Sequence, residues 1–377
     1  MSRLIILIGS RMYNWQFKDW GNFSYNESVI DPYLTDILLN LGEINGLSSN
    51  LPFDIQQETL MNIMISEAQK TSEIEGEFFS REDIFSSLKK HMGFSENQLI
   101  IKDKKAQNIA KLTLDVRKNF AEPLSEDLVK KWHFILMENS SYVQAGEYRT
   151  SDEQMQIVSG KWGNETVHFI APPSHQVPIE MKNFINWYQN FKTSPKDVKQ
   201  ILIKTSIAHL YFESIHPFED GNGRIGRAII EKCMFECFQN PLFISISTAI
   251  ENNKKAYYTH LKKASKTLEI TEWIVFFVEL FLSAQNHAKS TIQLVLNKSS
   301  FLDKHALNLN ERQLKVVLKM FDLGWRNFEG GMSAKKYMSI TKTSKATATR
   351  DLQDMVAKGV LQMNGSGRSI RYFLAVE

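Results

Sequence analysis

The sequence predicts a mostly α-helical protein with a β-hairpin set into it and a small α+β domain at its C-terminus. Three observations carry this. Apolar residues recur at helical spacing through 31–296. Two short strand-like runs, 156–160 and 167–173, surround Gly163-Asn164, so one hairpin stands out in a helical background. Beyond 310 the order is helix, helix, helix, then two apolar runs around Asn364-Gly365-Ser366-Gly367.

At 377 residues the chain exceeds a typical single domain, and two or three are expected. The boundaries read as an N-terminal helical region (1–100), a central domain (101–296), a polar linker (297–309) and a C-terminal module (310–377). The net charge of +3 is too small to identify a nucleic-acid partner. Both cysteines, Cys233 and Cys237, share a helix face and read as buried apolar groups in a reducing cytosol; a metal site would need further ligands, and none is spaced nearby. Leu4-Ile5-Ile6-Leu7-Ile8 is too short for a membrane span or a signal peptide, so a cytoplasmic location is expected. That run is open between a short strand and an artefact of a start ahead of Met12.

In chain order, Tyr13, Trp15, Phe17 and Trp20 suggest an aromatic segment laid across a helical surface, or an aromatic recognition patch. Helices are expected over 31–46 (Leu34, Ile37, Leu38, Leu41) and 54–71 (Ile55, Leu60, Ile63, Met64). The second runs into Thr71-Ser72-Glu73-Ile74-Glu75-Gly76-Glu77. Acids near a helix C-terminus oppose its dipole. Either a cationic partner elsewhere explains them, or they are a solvated acidic end. Helices follow over 84–90, 103–120 and 124–139, the last with Ser125 as N-cap. After the hairpin, whose edge suits an extended peptide, helices are expected over 177–191, 201–215 and 228–238. Further helices read over 253–263, with Tyr257-Tyr258, and 270–296, rich in Trp273, Phe276, Phe277 and Phe281.

Between two of these helices lies His216-Pro217-Phe218-Glu219-Asp220-Gly221-Asn222-Gly223-Arg224-Ile225-Gly226-Arg227. No packing need explains that set, and a solvated helix–loop–helix corner is a poor alternative. Glycines admit left-handed angles and close ligand approach. Backbone N–H groups at a helix start make an anion site. Arg224 and Arg227 lie one turn apart, and guanidinium forks suit phosphate oxygens. Asp220 is a hard oxygen ligand suited to Mg²⁺ on a polyphosphate. His216 can act as a general base near neutral pH. Together these describe phosphoryl or nucleotidyl transfer.

The segment resembles the Fic family signature, His-x-Phe-x-(Asp/Glu)-Gly-Asn-Gly-Arg-x-x-Arg, at every specified position. The resemblance implies a helical Fic fold and transfer of AMP from ATP to a protein hydroxyl (Tyr, Thr or Ser, on another protein or on itself). It assigns His216 as the base, Asp220 to Mg²⁺, Gly221, Asn222, Gly223 and Arg224 to the α- and β-phosphates, Arg227 to the γ-phosphate, and Phe218 to the core. Thr71-x-x-x-Glu75-Gly76 matches the family's inhibitory motif, whose glutamate pairs with the second signature arginine, here Arg227. Lying ahead of the signature, it implies the class with an N-terminal inhibitory helix. The 13–20 segment resembles the N-terminal extension of one branch of stand-alone Fic proteins. Gly146-Glu147-Tyr148-Arg149 resembles the element entering the Fic flap, with a structural role favoured for Arg149. The hairpin corresponds to the flap, so His168, Phe169 and Ile170 are expected to position the target side chain; His168 reads as a flap residue rather than a second base. Tyr257 and Tyr258 are expected near adenine and ribose, with ordinary helix packing by one of them as the alternative; many relatives place an asparagine a turn or two further on, where the nearest small polar residue here is Ser265, so no adenine contact is expected from that region. Proteins of this architecture often pair, so a homodimer is implied. Members with other donors usually alter the Gly-Asn-Gly-Arg segment, which is intact here.

The C-terminal module reads as a winged helix-turn-helix: helices over 311–323 and 333–338, a third capped by Ser344 and stopped by Gly359, then strands over 360–363 and 370–374. Lys345, Thr347, Thr349 and Arg350 on the third helix, with Arg368 and Arg371 on the wing, are candidates for DNA contact; dimerisation or protein docking is the other use of the module. Adenylylation restrained by Glu75 is the leading expectation. AMP removal by the same site and a DNA-binding regulator with a weak catalytic domain are the alternatives.

Overall fold

The computed structural model describes residues 12–93, 103–161, 164–322, 330–366 and 369–376. The expected features at Leu4–Ile8, Gly163 and Arg368 lie outside them. Mostly helical, the chain falls into two compact units: one comprises Leu60–Ala288 with the segment up to Ser49, the other Asn50–Thr59 with Lys289 onward.

The first elements are α1 (Asp31–Ser49), α2 (Phe53–Ile74), α3 (Arg81–Met92), α4 (Lys104–Lys118) and α5 (Glu126–Met137). The hairpin β1 (Gln156–Lys161) and β2 (Asn164–Ile170) is antiparallel, pairs Gln156 with Ile170, and has an irregularity at Ile157/Val158. Then come α6 (Val177–Asn190), α7 (Val198–Ile215), α8 (Asn222–Phe238), α9 (Ile246–Asn252), α10 (Lys254–Ala264) and α11 (Thr271–His305). Caps fix several boundaries: the hydroxyls of Ser80, Ser125 and Ser245 accept N–H bonds at the starts of α3, α5 and α9.

α7 and α8 form the centre of the first unit and bury nearly every side chain. Met64, Ile65 and Ala68 of α2 share one core with Trp132 of α5, Phe184 of α6, Phe212 of α7 and Ile229 of α8. The expected boundary at 100 therefore does not divide the N-terminal helices from the central domain. The aromatic segment packs as expected of a surface strap: Asn14 donates to Ser214 Oγ (2.8 Å), and Trp20 meets Tyr211 edge-on at 4.8 Å.

Three expectations on elements are corrected. α8 begins at Asn222, not at 228, because Gly221 caps it from the left-handed region (φ 80) and the residues just beyond belong to its first turns. The short α9 has no counterpart among the expected helices; its seven residues offer too little periodicity to read. The polar stretch 297–309 is not a linker: α11 runs through it to His305. Within it Phe301 and His305 are buried, and Phe301 packs edge-on against Phe321 at 5.3 Å.

In the second unit, α12 (Glu311–Asp322), α13 (Ala334–Thr341) and α14 (Lys345–Ala357) precede the antiparallel pair β3 (Leu361–Asn364) and β4 (Arg371–Leu374). Their core joins Val317, Tyr337, Leu352 and Tyr372. Ser344 caps α14, and Asp351 accepts from Arg312 (2.9 Å) and Tyr337 (2.9 Å). On α14, Lys345 and Arg350 are exposed, whereas Thr347 and Thr349 are half-buried. Among the described residues, no helix is long and apolar enough to cross a membrane.

Candidate active site

The His216–Arg227 segment is a loop braced from behind. His216 caps α7 in the left-handed conformation (φ 51), where its N–H still bonds Phe212 O. Asn222 closes the loop on itself, with Oδ1 accepting from Phe218 N (2.9 Å) and Nδ2 donating to Phe218 O (2.7 Å). Its side chain is thus occupied by the loop, which leaves the backbone N–H as its group for an anion. Phe218 is buried, as expected, and stacks on His133 at 3.8 Å and 5°. Nδ1 of His133 accepts from Gly146 N–H (2.9 Å), so Nε2 carries the proton given to Asp220 O (3.1 Å). Burial holds His133 down to about 4 despite that carbonyl, which keeps it neutral. Arg149 ties the loop to the segment that follows the hairpin, donating to His216 O (2.8 Å), Pro172 O (2.6 Å) and Ser174 Oγ (2.9 Å).

The loop floors a cavity of about 660 Å³ whose lining includes His216, Asp220, Gly221, Asn222, Gly223, Arg227 and Glu75. The hairpin contributes His168 and Phe169; Tyr257 and Tyr258 of α10 and Ser265 just beyond it complete the set. Most residues singled out in the sequence are therefore together. Arg224 and Ile170 are not in the lining. Ile170 instead offers its carbonyl to Trp15 Nε1 (2.7 Å), and Phe169 meets the Tyr13 ring at 5.0 Å, so the N-terminal strap pins the end of β2. Tyr257 is buried with its hydroxyl on His209 Nε2 (2.8 Å), whereas Tyr258 is 42% exposed. Both line the cavity, but only Tyr257 is locked by a partner in the core.

His216 is half-buried, with Nδ1 3.9 Å from Glu213 Oε2. Burial, with Arg149 beside it, pulls the imidazole down to about 4, so it is unprotonated at neutral pH. Glu213 is pushed up to about 8 by burial, against the pull of Arg227. Gly226 is required here: a Cβ would collide with Glu213 Oε1 and lie 3.1 Å from the His209 ring.

Arg227 is held by the end of α2. Its Nε donates to Thr71 Oγ1 (2.7 Å), and its Nη2 to Thr71 O (2.8 Å) and Glu75 Oε1 (2.7 Å). Burial alone would lower this arginine, but the Glu75 carboxylate raises it, so the charge stays. Gly223 makes room: a Cβ would collide with the Glu75 carboxylate. Glu77 pairs with Arg224 and with Lys105, and Glu73 with Lys70. Each acid at this helix end has a cation, which answers the dipole conflict seen in the sequence.

Asp220 accepts from Gly221 N–H (2.6 Å) and Tyr142 Oη (3.2 Å), and its side chain is 42% exposed. Such a carboxylate fits Mg²⁺, which takes one or two carboxylates and completes its shell with phosphate and water. Among the described residues no group of three or more His, Cys, Asp or Glu gathers as a protein-only cage.

Sequence reasoning does not single out Glu213, His133, Tyr142 or Gly226. Gly226 and Glu213 flank specified positions without being specified themselves, and nothing in the local pattern marks His133 or Tyr142.

The fold is that of Fic proteins. The structure superposes on a Fic family protein from Desulfovibrio desulfuricans G20 with a TM-score of 0.53 at 20% identity, covering 91% of this chain and 96% of that one. A Fic domain containing signaling protein from Bacteroides thetaiotaomicron gives 0.51 at 16%, covering 68% and 97%. Residues 123–234 match the family described as Fic/DOC, and residues 13–94 match a domain of unknown function, DUF4172. The chain is 32% identical over 161 residues to a probable protein adenylyltransferase of Aquifex aeolicus, covering 43% of each. It is 26% identical over 145 residues to the protein adenylyltransferase fic-1 of Caenorhabditis elegans, covering 38% of this chain and 25% of that protein. It thus spans less than half the length of these relatives.

Proposed function

We propose that the protein is an adenylyltransferase that moves AMP from ATP to a hydroxyl side chain of a target protein, itself included. The observation that carries this reading is the His216–Arg227 loop at the floor of a cavity whose wall is a hairpin. His216 accepts the hydroxyl proton. The hydroxyl oxygen bonds to the α-phosphorus, the bond from that phosphorus to the β-bridging oxygen breaks, and pyrophosphate leaves. N–H groups at the start of α8 and the guanidiniums of Arg224 and Arg227 stabilise the phosphate charge. Asp220 holds Mg²⁺, which neutralises phosphate charge when bound. An outer edge of the hairpin presents the target chain, and Tyr258 lies beside the nucleoside. Glu75 restrains the enzyme by occupying Arg227, the group for the γ-phosphate.

The test is incorporation of label from α-³²P-ATP with Mg²⁺ in a cell lysate. Glu75→Gly is expected to gain labelling and His216→Ala to lose it. Absence of labelling by every variant, in preparations that bind ATP, sinks the forward reaction. A second reading is favoured by Glu75 lining the same cavity as His216: there Glu75 orients a water that removes AMP from a modified protein. Release of AMP from modified target with Mg²⁺ and no ATP identifies that direction. For the C-terminal unit, exposed Lys345 and Arg350 on α14 support DNA docking. Salt-dependent retention of a duplex, lost in Lys345→Glu/Arg350→Glu, checks it.

A further inference from the structure

We propose that Glu77 is a second arm of the restraint: it withholds Arg224 from nucleotide while Glu75 withholds Arg227. The inference rests on the nucleotide reading above and concerns how the same site is kept closed.

The geometry starts in the turn that ends α2. Gly76 N–H bonds Glu73 O (3.0 Å) and Glu77 N–H bonds Ser72 O (3.0 Å), so the chain folds back over its own last turn. Gly76 sits at φ 81, and nothing lies within 4 Å of where its Cβ would stand. Glycine is therefore needed for the backbone angle and not for space. The reversal sets Glu75 and Glu77 against the first turns of α8, where Arg227 and Arg224 are one turn apart.

The two pairs are built differently. Arg227 is buried, and its forks go to Thr71 and Glu75. Arg224, also buried, donates Nη1 to Glu77 Oε2, while its Nη2 lies 3.7 Å from Asp220 Oδ1. Glu77 Oε1 takes Lys105 Nζ from α4 at 2.6 Å. Glu77 is thus fixed by a second cation outside the cavity, and Arg224 is drawn off the cavity lining. A triphosphate that needs both forks must break both pairs. Removing Glu75 alone frees one.

The experiment is calorimetric titration of the full-length protein with ATP and Mg²⁺, comparing wild type, Glu75→Gly, Glu77→Ala and the double variant. In the Glu75→Gly background, Glu77→Ala is expected to tighten ATP about tenfold, within the ordinary range of coupling. Glu77→Gln, which keeps size and an acceptor oxygen, is expected to give a smaller gain, and unchanged melting shows that the fold is intact. If the double variant binds ATP no tighter than Glu75→Gly, the second arm does not exist. If it binds more weakly, Glu77 orients Arg224 for nucleotide instead, which also overturns the proposal. Binding does not require transfer, so the two readings fail separately. Tighter ATP without labelling leaves the second arm standing and removes the reaction; labelling without a Glu77 effect does the reverse.

Discussion

Arg227 shows what one buried cation asks of its neighbours. For Nε and Nη2 the end of α2 supplies a hydroxyl, a carbonyl and a carboxylate from Thr71 and Glu75. A charge-assisted bond of this kind contributes roughly 1.5–3 kcal/mol, more than a neutral one. Thr71→Val, which removes the hydroxyl and keeps the shape, is expected to raise ATP affinity about fivefold, less than Glu75→Gly does; equilibrium binding of ATP measures both. Gly226 makes the complementary point about space. Gly226→Ala drives a methyl into Glu213 and the His209 ring and is expected to cost about 1–3 kcal/mol in denaturant unfolding. Labelling should fall with it, since Glu213 sits 3.9 Å from the His216 imidazole.

Among the elements, the site is the meeting of α2, α7, α8 and the hairpin. The N-terminal strap decides how the hairpin is held, because Trp15 Nε1 donates to the last carbonyl of β2. Trp15→Phe keeps an aromatic ring and loses that bond, at about 1 kcal/mol. The expected outcome, on the proposed division of labour between a target-presenting hairpin and a phosphate-binding α8, is weaker labelling at limiting protein target with ATP affinity unchanged. A parallel fall in ATP affinity would mean that the strap supports the whole loop. α11 carries a different lesson. Polar composition over 297–309 reads as a linker, but a helix needs only one apolar face, and Phe301 provides it.

Across the whole molecule, buried ionisable groups set the response to pH. His133 and His216 fall to about 4 and His209 to about 3, mainly through burial. Their unfolded values are higher, so the unfolded chain binds more protons on acidification, and these groups lower stability as pH drops below about 6.5. Glu213 and Glu231 rise to about 8, again through burial. The unfolded chain sheds those protons at ordinary carboxylate values. The two acids therefore lower stability as pH rises toward 8, by up to about 1.4 kcal/mol per pH unit and group. Among these five groups the three histidines outweigh the two acids below about 6.5 and no longer contribute above it, so their combined contribution is greatest near pH 6.5. Glu231→Gln, away from the cavity lining, should flatten the alkaline limb of the melting curve; an unchanged limb would contradict a protonated buried Glu231.

Local features follow from the chain alone. The helices come from apolar stripes, the caps from single hydroxyls, and the His216–Arg227 loop from a contiguous motif whose residues must act within a few turns. The acid cluster at 73–77 is legible as a helix end out of balance, and the pair of Glu75 with Arg227 is the one the family resemblance implies. Which distant groups meet is decided only in three dimensions. His133 and Arg149 brace the loop from elements far back in the chain, Glu77 takes Arg224, and of the tyrosine pair in the cavity wall Tyr257 is bonded to His209. Periodicity and propensity are properties of neighbours along the chain. Pairing of buried charges is a property of space, fixed only once burial has removed water as the competing partner.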